Sequence, residues 1–256
     1  MLKGEAVMAK HPLPIGIDNF EKLITNDYYY VDKTLLIKDL LDHKGEANLF
    51  ARPGQFGKTL NMSMIRCFFE NTGDEERNKR NQELFSGLKI MDSGERYIRQ
   101  MTAYPVISLS LKSAKQTDLG LAMTMLKRRI AEEFRRHQEI REELRDQRER
   151  FDRIMTEKGD ISDYADALAF LSALLKQHYG KNVIILIDEY DIPLENAYFG
   201  GFYDEMAAFI RSLFESELKT NGALEFAVVT GCLRISRESI FTGLNNLNII
   251  SILSVC

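Results

Sequence analysis

The sequence has few cysteines and no long apolar run. Its 256 residues include three cysteines, which are Cys67, Cys232 and Cys256. None belongs to a C-x-x-C pair, so a disulfide framework is not expected and the composition fits a reducing compartment. No apolar run approaches the roughly 18 residues that a membrane helix needs. Glu5, Lys10 and nearby prolines interrupt the stretch where a signal peptide would carry its apolar region. The cytoplasm is therefore the expected location.

The sequence also lacks a strong net charge. Lysine and arginine total 34 residues and aspartate and glutamate total 38, which gives a formal net charge of −4. This balance argues against a globally basic nucleic-acid binder, although it is compatible with a local basic face. Hydrophobic residues make up 45% of the chain and charged residues 28%. This composition is ordinary for a globular protein, and the length suffices for one large domain with its own core.

Short apolar segments alternate with helical patterns along the chain. Strands are predicted in ANLFA (47–51), YPVISLSL (104–111), NVIILIDEYD (182–191), LEFAVVTG (224–231) and NNLNIISILSV (245–255). Amphipathic spacing predicts helices over 59–70, 163–179 and 203–218. The heavily charged stretch 116–155 predicts one long solvated helix, with a nucleic-acid arm as the alternative. The alternation predicts an α/β fold in which helices sandwich a mostly parallel sheet, with ligands at the carboxyl ends of its strands.

The segment RPGQFGKTL, residues 52–60, joins the first predicted strand to the helix after it. It ends in Gly-Lys-Thr, as does the phosphate-binding pattern G-x-x-x-x-G-K-[ST], the Walker A motif. Arg52 stands where this pattern has its first glycine. Pro53 and Gly54 follow at once and supply the geometry of a turn by another route.

This strand–loop–helix setting predicts a phosphate site, because loop N–H groups and the helix dipole attract anions. Lys58 is expected to reach the β- and γ-phosphates, and the Thr59 hydroxyl is expected to ligate Mg²⁺. The alternative is a plain turn with a lysine that faces solvent. The predicted cofactor-binding residues are Arg52, Pro53, Gly54, Gln55, Phe56, Gly57, Lys58, Thr59 and Leu60.

An acidic pair, Asp188 and Glu189, follows the five apolar residues 183–187. In P-loop nucleotide hydrolases the acid that ends such a strand, the Walker B position, orients Mg²⁺. Successive strand residues point to opposite faces, so Asp188 is expected to face the metal and Glu189 to polarise an attacking water. The alternative is that both acids simply cap a strand at the surface. Asp191 either supports this pair or starts the next helix.

A third strand end carries Thr230, with Arg234 and Arg237 soon after it. Thr230 is the candidate for a polar side chain that senses the γ-phosphate or the water. An arginine beside a γ-phosphate can neutralise developing charge, and the alternative is a surface arginine paired with an acid such as Glu238. The predicted catalytic residues are therefore Glu189, Lys58, Thr230 and Arg234, and the predicted metal ligands are Thr59 and Asp188.

Four blocks in order closely resemble the AAA-ATPase-like family of bacteria and archaea: YYVDKTLLIKDLL, RPGQFGKTLNMSM, VIILIDEYDIPL and TGCLRISRESIFTGLNN. The resemblance runs from about Leu13 to Leu253. It implies an AAA-like P-loop NTPase fold of the additional-strand class, with ATP and Mg²⁺ as cofactors. It also implies that Arg52 is usual here, since the family loop reads like RPRRFGKTL. Gly54 and Gln55 depart from that loop and lower its charge.

The resemblance also sets the expected domain organisation. Residues 1–15 are expected to be a flexible N-terminal segment, and residues 16–256 an AAA-like P-loop ATPase domain with the charged stretch as an insertion. Longer members of the family carry a C-terminal nuclease-like domain of the PD-(D/E)XK type. Because this sequence stops at Cys256, the lid and the nuclease-like domain are expected to be absent, and no nuclease activity is carried over.

The predicted function is ATP binding with Mg-dependent hydrolysis, which would make the chain an ATPase. One alternative is a nucleotide-binding regulatory module with little turnover. Another is a nucleic-acid-associated fragment of a nuclease-linked ATPase. ATP is the expected partner, and no membrane partner is expected. A homo-oligomer, a nucleic acid and a protein partner remain open alternatives.

Overall fold

The computed structural model describes residues 11–43, 45–51, 57–218, 221–232 and 247–251. The strands in this part of the chain are β1 Ala47–Ala51, β2 Val106–Ser110, β3 Val183–Asp188, β4 Leu224–Gly231 and β5 Leu247–Ser251. Each lies within one of the five segments predicted to be strands, so those predictions are confirmed.

The helices cover both sides of the sheet. They are α1 Phe20–Thr25, α2 Leu35–His43, α3 Lys58–Phe69, α4 Glu75–Glu83, α5 Glu95–Ile98, α6 Leu119–Arg136, α7 Arg148–Met155, α8 Ile161–Ala165, α9 Ala167–Tyr179, α10 Ile192–Gly200 and α11 Tyr203–Leu218. Short 3-10 turns lie at Lys89–Ser93, Lys112–Ala114, Gln138–Glu143 and Arg145–Gln147. Within the described ranges, no helix has the length and apolar character needed to cross a bilayer.

The sheet is parallel, with the strand order β2-β3-β4-β1-β5. Strand β4 lies between β1, which ends just before Arg52, and β3, which ends at Asp188 of the acidic pair. This inserted strand defines the additional-strand class of P-loop NTPase that the resemblance implies. All carboxyl ends lie at one edge of a parallel sheet, so β1, β3 and β4 deliver their last residues to the same place.

Both faces of the sheet are packed, as the unbroken apolar sequence of β3 indicates. Val183, Ile185 and Ile187 point to the core beneath α6, α7, α9, α10 and α11. Ile184 and Leu186 point to the opposite core, which α1, α2 and α3 cover. By this alternation Asp188 belongs to the face on which α3 lies.

The prediction of one long solvated helix over 116–155 is wrong. The stretch contains α6 and α7, separated by 3-10 turns. Helix α6 ends where His137 caps it, and the His137 ring is buried with Nε2 3.1 Å from the Val106 carbonyl oxygen. One face of the stretch is also buried, with Leu126, Ile130 and Phe151 fully enclosed. The charged residues keep their spacing across the break, so the sequence pattern does not reveal it, whereas the structure shows it at the buried His137.

A buried ion network at the amino edge of the sheet fixes the far end of α3. The Arg136 guanidinium contacts both Glu70, which directly follows α3, and Glu133 on α6. It also donates to the carbonyl of Val106, the first residue of β2. Burial alone would raise the pKa of Glu133, but Arg136 outweighs that effect and holds the pKa of this carboxyl below its usual range. Helix α3 is thus anchored at its carboxyl end, while its amino end enters the candidate site.

Candidate functional site

The amino terminus of α3 meets the ends of β3 and β4. Gly57 immediately precedes α3 and has a left-handed backbone, with φ 73° and ψ 24°. Glycine adopts this conformation at little cost, which lets the chain turn into the helix at once. No side chain caps the first N–H groups of α3. These donors can therefore serve an anion.

Thr59 and Asp188 meet at this edge although they lie 129 residues apart in sequence. The Thr59 hydroxyl donates to Asp188 Oδ2 over 2.7 Å. The other oxygen of Asp188, Oδ1, accepts a hydrogen bond from the Thr230 hydroxyl. Asp188 is only 6% exposed. Its carboxylate is thus held between α3 and β4 with both oxygens oriented by hydroxyl groups.

Lys58 lies against the end of β4. Its Nζ is 3.2 Å from the Sγ of Cys232. Cys232 is partly buried and directly follows β4. Sequence reasoning did not select this cysteine. Its position two residues after Thr230 was the available indication that its side chain lies at this edge.

Glu189 occupies the bend after β3. Its backbone has a positive φ of 56°, which is unusual for a residue with a side chain. Its N–H donates to Thr230 Oγ1 over 3.4 Å. Burial, and then the neighbouring charge of Asp188, raise the pKa of the Glu189 carboxyl, although Lys112 and Lys58 oppose that rise. The bend therefore presents a half-buried carboxylate with increased affinity for a proton.

Asp191 both precedes a helix and ties two strands together. It directly precedes α10, but its side chain makes no capping hydrogen bond to that helix. Instead Asp191 Oδ2 accepts the N–H of Cys232 over 2.7 Å. The N–H of Tyr190 donates to the Thr230 carbonyl over 3.1 Å. These bonds fix the end of β4 against the segment that follows β3.

Of the remaining predicted site residues, Leu60 lies within the described part of the chain. The Leu60 side chain packs against the core on the α3 side of the sheet. The other predicted residues lie outside the described residues, and they are Arg52, Pro53, Gly54, Gln55, Phe56, Arg234 and Arg237.

The donor set of this edge suits Mg²⁺. The Thr59 hydroxyl and the Asp188 carboxylate offer hard oxygen ligands. In the described part of the chain, no three His, Cys, Asp or Glu side chains gather into a metal cage. Mg²⁺ typically takes one or two protein ligands together with phosphate oxygens and water, so two adjacent oxygen donors fit it.

The strand order, the helix that begins at Gly-Lys-Thr and the acid at the end of β3 together define a P-loop NTPase of the additional-strand class. The chain belongs to the AAA-ATPase-like family, because the model of that family, described as "Predicted AAA-ATPase", matches residues 14–241. The "Uncharacterized protein in vnfD 5'region" of Azotobacter chroococcum mcd 1 is 30% identical to it over 250 residues. The match covers 96% of this chain and 42% of that relative. The chain thus spans less than half the length of this relative.

Proposed function

We propose that the chain binds ATP with Mg²⁺ at the carboxyl edge of the sheet and hydrolyses it. The observation that carries the proposal is the hydrogen bond between Thr59 and Asp188. It places the last residue of a Gly-Lys-Thr turn beside the acid that ends β3. These are the two groups that a magnesium ion on a nucleoside triphosphate requires at one point.

The roles of the binding residues follow from their positions. The first N–H groups of α3 and the Lys58 ammonium hold phosphate oxygens. Lys58 leaves the weak acceptor Cys232 for this purpose, since a thiol sulfur binds an ammonium less strongly than a phosphate oxygen does. Thr59 and Asp188 hold Mg²⁺, which neutralises charge on the transferred phosphoryl group.

Glu189 acts as the general base for the attacking water. A carboxylate whose pKa is raised by burial and by Asp188 accepts a proton more readily than an exposed one. The Asp188 carboxylate is held by the hydroxyls of Thr59 and Thr230, whereas Glu189 lies at the bend that follows, so the two acids serve different tasks. The bond from the Glu189 N–H to Thr230 fixes this bend.

Thr230 orients the metal-binding carboxylate and completes the γ-phosphate end of the site. Its hydroxyl already contacts both halves of the acidic pair, through Asp188 Oδ1 and the Glu189 N–H. Arg234 supplies positive charge to the transition state, a role that rests on its position in the sequence after β4.

Phosphate release from ATP with Mg²⁺ tests this proposal in the wild type, Lys58→Ala, Glu189→Gln and the control Glu195→Gln. Glu195 is exposed on α10, so its variant is expected to match the wild type. Lys58→Ala is expected to lose ATP binding. Glu189→Gln is expected to bind ATP but to hydrolyse it about 100-fold or more slowly, which is the usual contribution of a general base. Equal rates in all four proteins would refute hydrolysis at this site.

The same variants separate an ATPase from a nucleotide-binding module. A module would bind ATP and gain thermal stability by mass action, while phosphate release by the wild type stayed at background. In that case Lys58→Ala would still abolish ATP binding, and Glu189→Gln would leave phosphate release at the same background level as the wild type.

A further inference from the structure

A second lysine lies next to Gly57, the residue that precedes α3. Lys33 belongs to the turn that precedes α2, and its Nζ is 3.8 Å from the point where a Cβ on Gly57 would sit. Lys33 is exposed, and within the described residues its ammonium makes no salt bridge. An ammonium without a salt bridge to any of the described acids thus lies beside Gly57, the residue that precedes Lys58.

Hydrogen bonds from Asp32 and Thr34 fix the backbone of the segment that carries Lys33. The Asp32 carboxylate accepts the N–H of Thr34 at 2.8 Å and its hydroxyl at 2.7 Å. The same carboxylate accepts the N–H of Lys89 at 2.8 Å. Thr34 is fully buried, and its hydroxyl accepts the N–H of Ile90 at 3.1 Å. The residues on both sides of Lys33 are therefore fixed, while its own side chain is left at the surface.

A second set of contacts ties this turn to α3. The Lys33 N–H donates to the Tyr30 hydroxyl over 3.2 Å. That hydroxyl in turn contacts the Met64 sulfur, on α3, at 3.3 Å. Since α3 begins at Lys58, these contacts connect the backbone of Lys33 to the helix that directly follows Gly57.

The carboxyl edge of the sheet carries several acids, so a bound triphosphate would need additional positive charge there. Asp188, Glu189 and Asp191 concentrate negative charge around the end of β3, and a triphosphate would add several more negative charges. Lys58 contacts the end of β4. The Lys33 ammonium lies next to Gly57 and so offers a second positive charge close to the start of α3.

We propose that Lys33 is a second phosphate-binding cation of the nucleotide site, and this rests on the proposed function of that site. Its ammonium binds a phosphate oxygen of the nucleotide beside Gly57, while Lys58 binds from the β4 side. The hydrogen bonds of Asp32 and Thr34 fix the backbone on both sides of Lys33 and so set the position from which its side chain extends. The phosphate is therefore held from both flanks of the amino terminus of α3.

Calorimetric titration with Mg·ATP tests this role in the wild type, Lys33→Ala, Lys33→Arg and Lys79→Ala. Lys79 is also exposed but lies on α4, beyond the far end of α3, so it controls for the loss of one positive charge. Lys33→Ala is expected to raise the dissociation constant of ATP about tenfold or more, as a lost charge-assisted hydrogen bond does. Lys33→Arg is expected to restore most of the affinity, and Lys79→Ala to leave it unchanged.

Thermal melts of the same proteins without nucleotide separate binding from folding. All four are expected to melt together, because the Lys33 side chain is exposed. Wild-type affinity in Lys33→Ala would overturn the role of Lys33 and leave the proposed site standing. A weakened affinity accompanied by an equal loss of thermal stability would overturn it as well. Failure of the wild type to bind Mg·ATP would instead refute the proposed function itself.

Discussion

Replacement of Gly231 by alanine tests how tightly the end of β4 is packed against the site. A Cβ at this position would lie 2.5 Å from Cε1 and 2.9 Å from Cδ1 of Tyr190, and 3.0 Å from Oδ1 of Asp191. Carbon atoms in contact are ordinarily about 3.5–4.0 Å apart. The Tyr190 ring would therefore have to move by about 1 Å, although it is fully buried.

The expected cost is that of overpacking a close-packed interior. Such insertions typically cost about 1–3 kcal/mol, and the contact here falls on a ring rather than on the end of a flexible chain, so the upper part of this range applies. At about 2–4 °C per kcal/mol for a domain of this size, the melting temperature of Gly231→Ala is expected to fall by roughly 4–12 °C. Because Thr230 and Cys232 flank this glycine, affinity for nucleotide is expected to fall too.

The assay is thermal unfolding of Gly231→Ala, with Gly222→Ala as the matched control. Gly222 lies just before β4, and a Cβ there would meet no atom within 4 Å. Its replacement is expected to be neutral or stabilising by about 0.4–1 kcal/mol. A third protein combines Gly231→Ala with Tyr190→Ala, which removes the ring. The reasoning fails if Gly231→Ala costs as much in that background as it does alone, or if both glycine variants behave alike.

Three further predictions concern the ionisation of Glu189, the ion pairs of Arg136 and the reactivity of Cys232. The folded state raises the pKa of Glu189, so the protonated carboxyl stabilises the fold below about pH 4, and this contribution is lost as pH rises through the raised pKa. Glu189→Gln should therefore raise the melting temperature more at pH 8, where Glu189 is ionised, than near pH 4. Equal shifts at both pH values would contradict this. In chemical unfolding, Arg136→Ala should destabilise by about 3–5 kcal/mol because it removes the guanidinium shared by two buried carboxylates, Glu70 and Glu133. Arg128→Ala, which loses only a half-exposed ion pair, should cost under about 1 kcal/mol, and similar losses would refute the burial argument. Finally, Mg·ATP should slow alkylation of Cys232, measured by mass spectrometry of its peptide, because nucleotide would cover the end of β4; an unchanged rate would contradict the placement of the site.

Much of the fold is predictable because its information is local. The unbroken apolar run of β3 predicts a strand covered on both faces, and helices α6 and α10 do cover one of them. The start of α3 is predictable because Gly57 and the residues after it match a loop pattern with a known geometry. The order of the strands is not local, and the resemblance to a family supplied it.

The candidate site was predictable in outline but not in its contacts. Parallel strands bring their carboxyl ends together, so Asp188 and Thr230 were expected at one edge. That the Thr230 hydroxyl reaches Asp188 depends on the register of β4 against β3, which pairs Val229 with Ile187. No local pattern encodes this register. The proximity of Lys33 to Gly57 likewise depends on how the segment before α2 packs against α3, where the Tyr30 hydroxyl contacts the Met64 sulfur.

The central claim is that Thr59 and Asp188 share one magnesium ion on a bound nucleotide. Calorimetric titration with ATP, in Mg²⁺ and then in a chelator, tests it most directly. The wild type and the control Thr124→Ala, whose hydroxyl is exposed on α6, should bind ATP more tightly when Mg²⁺ is present. Thr59→Ala and Asp188→Asn should lose that difference while they keep the metal-free affinity. If both variants retain the full effect of Mg²⁺, the two residues do not hold the metal and the account is wrong.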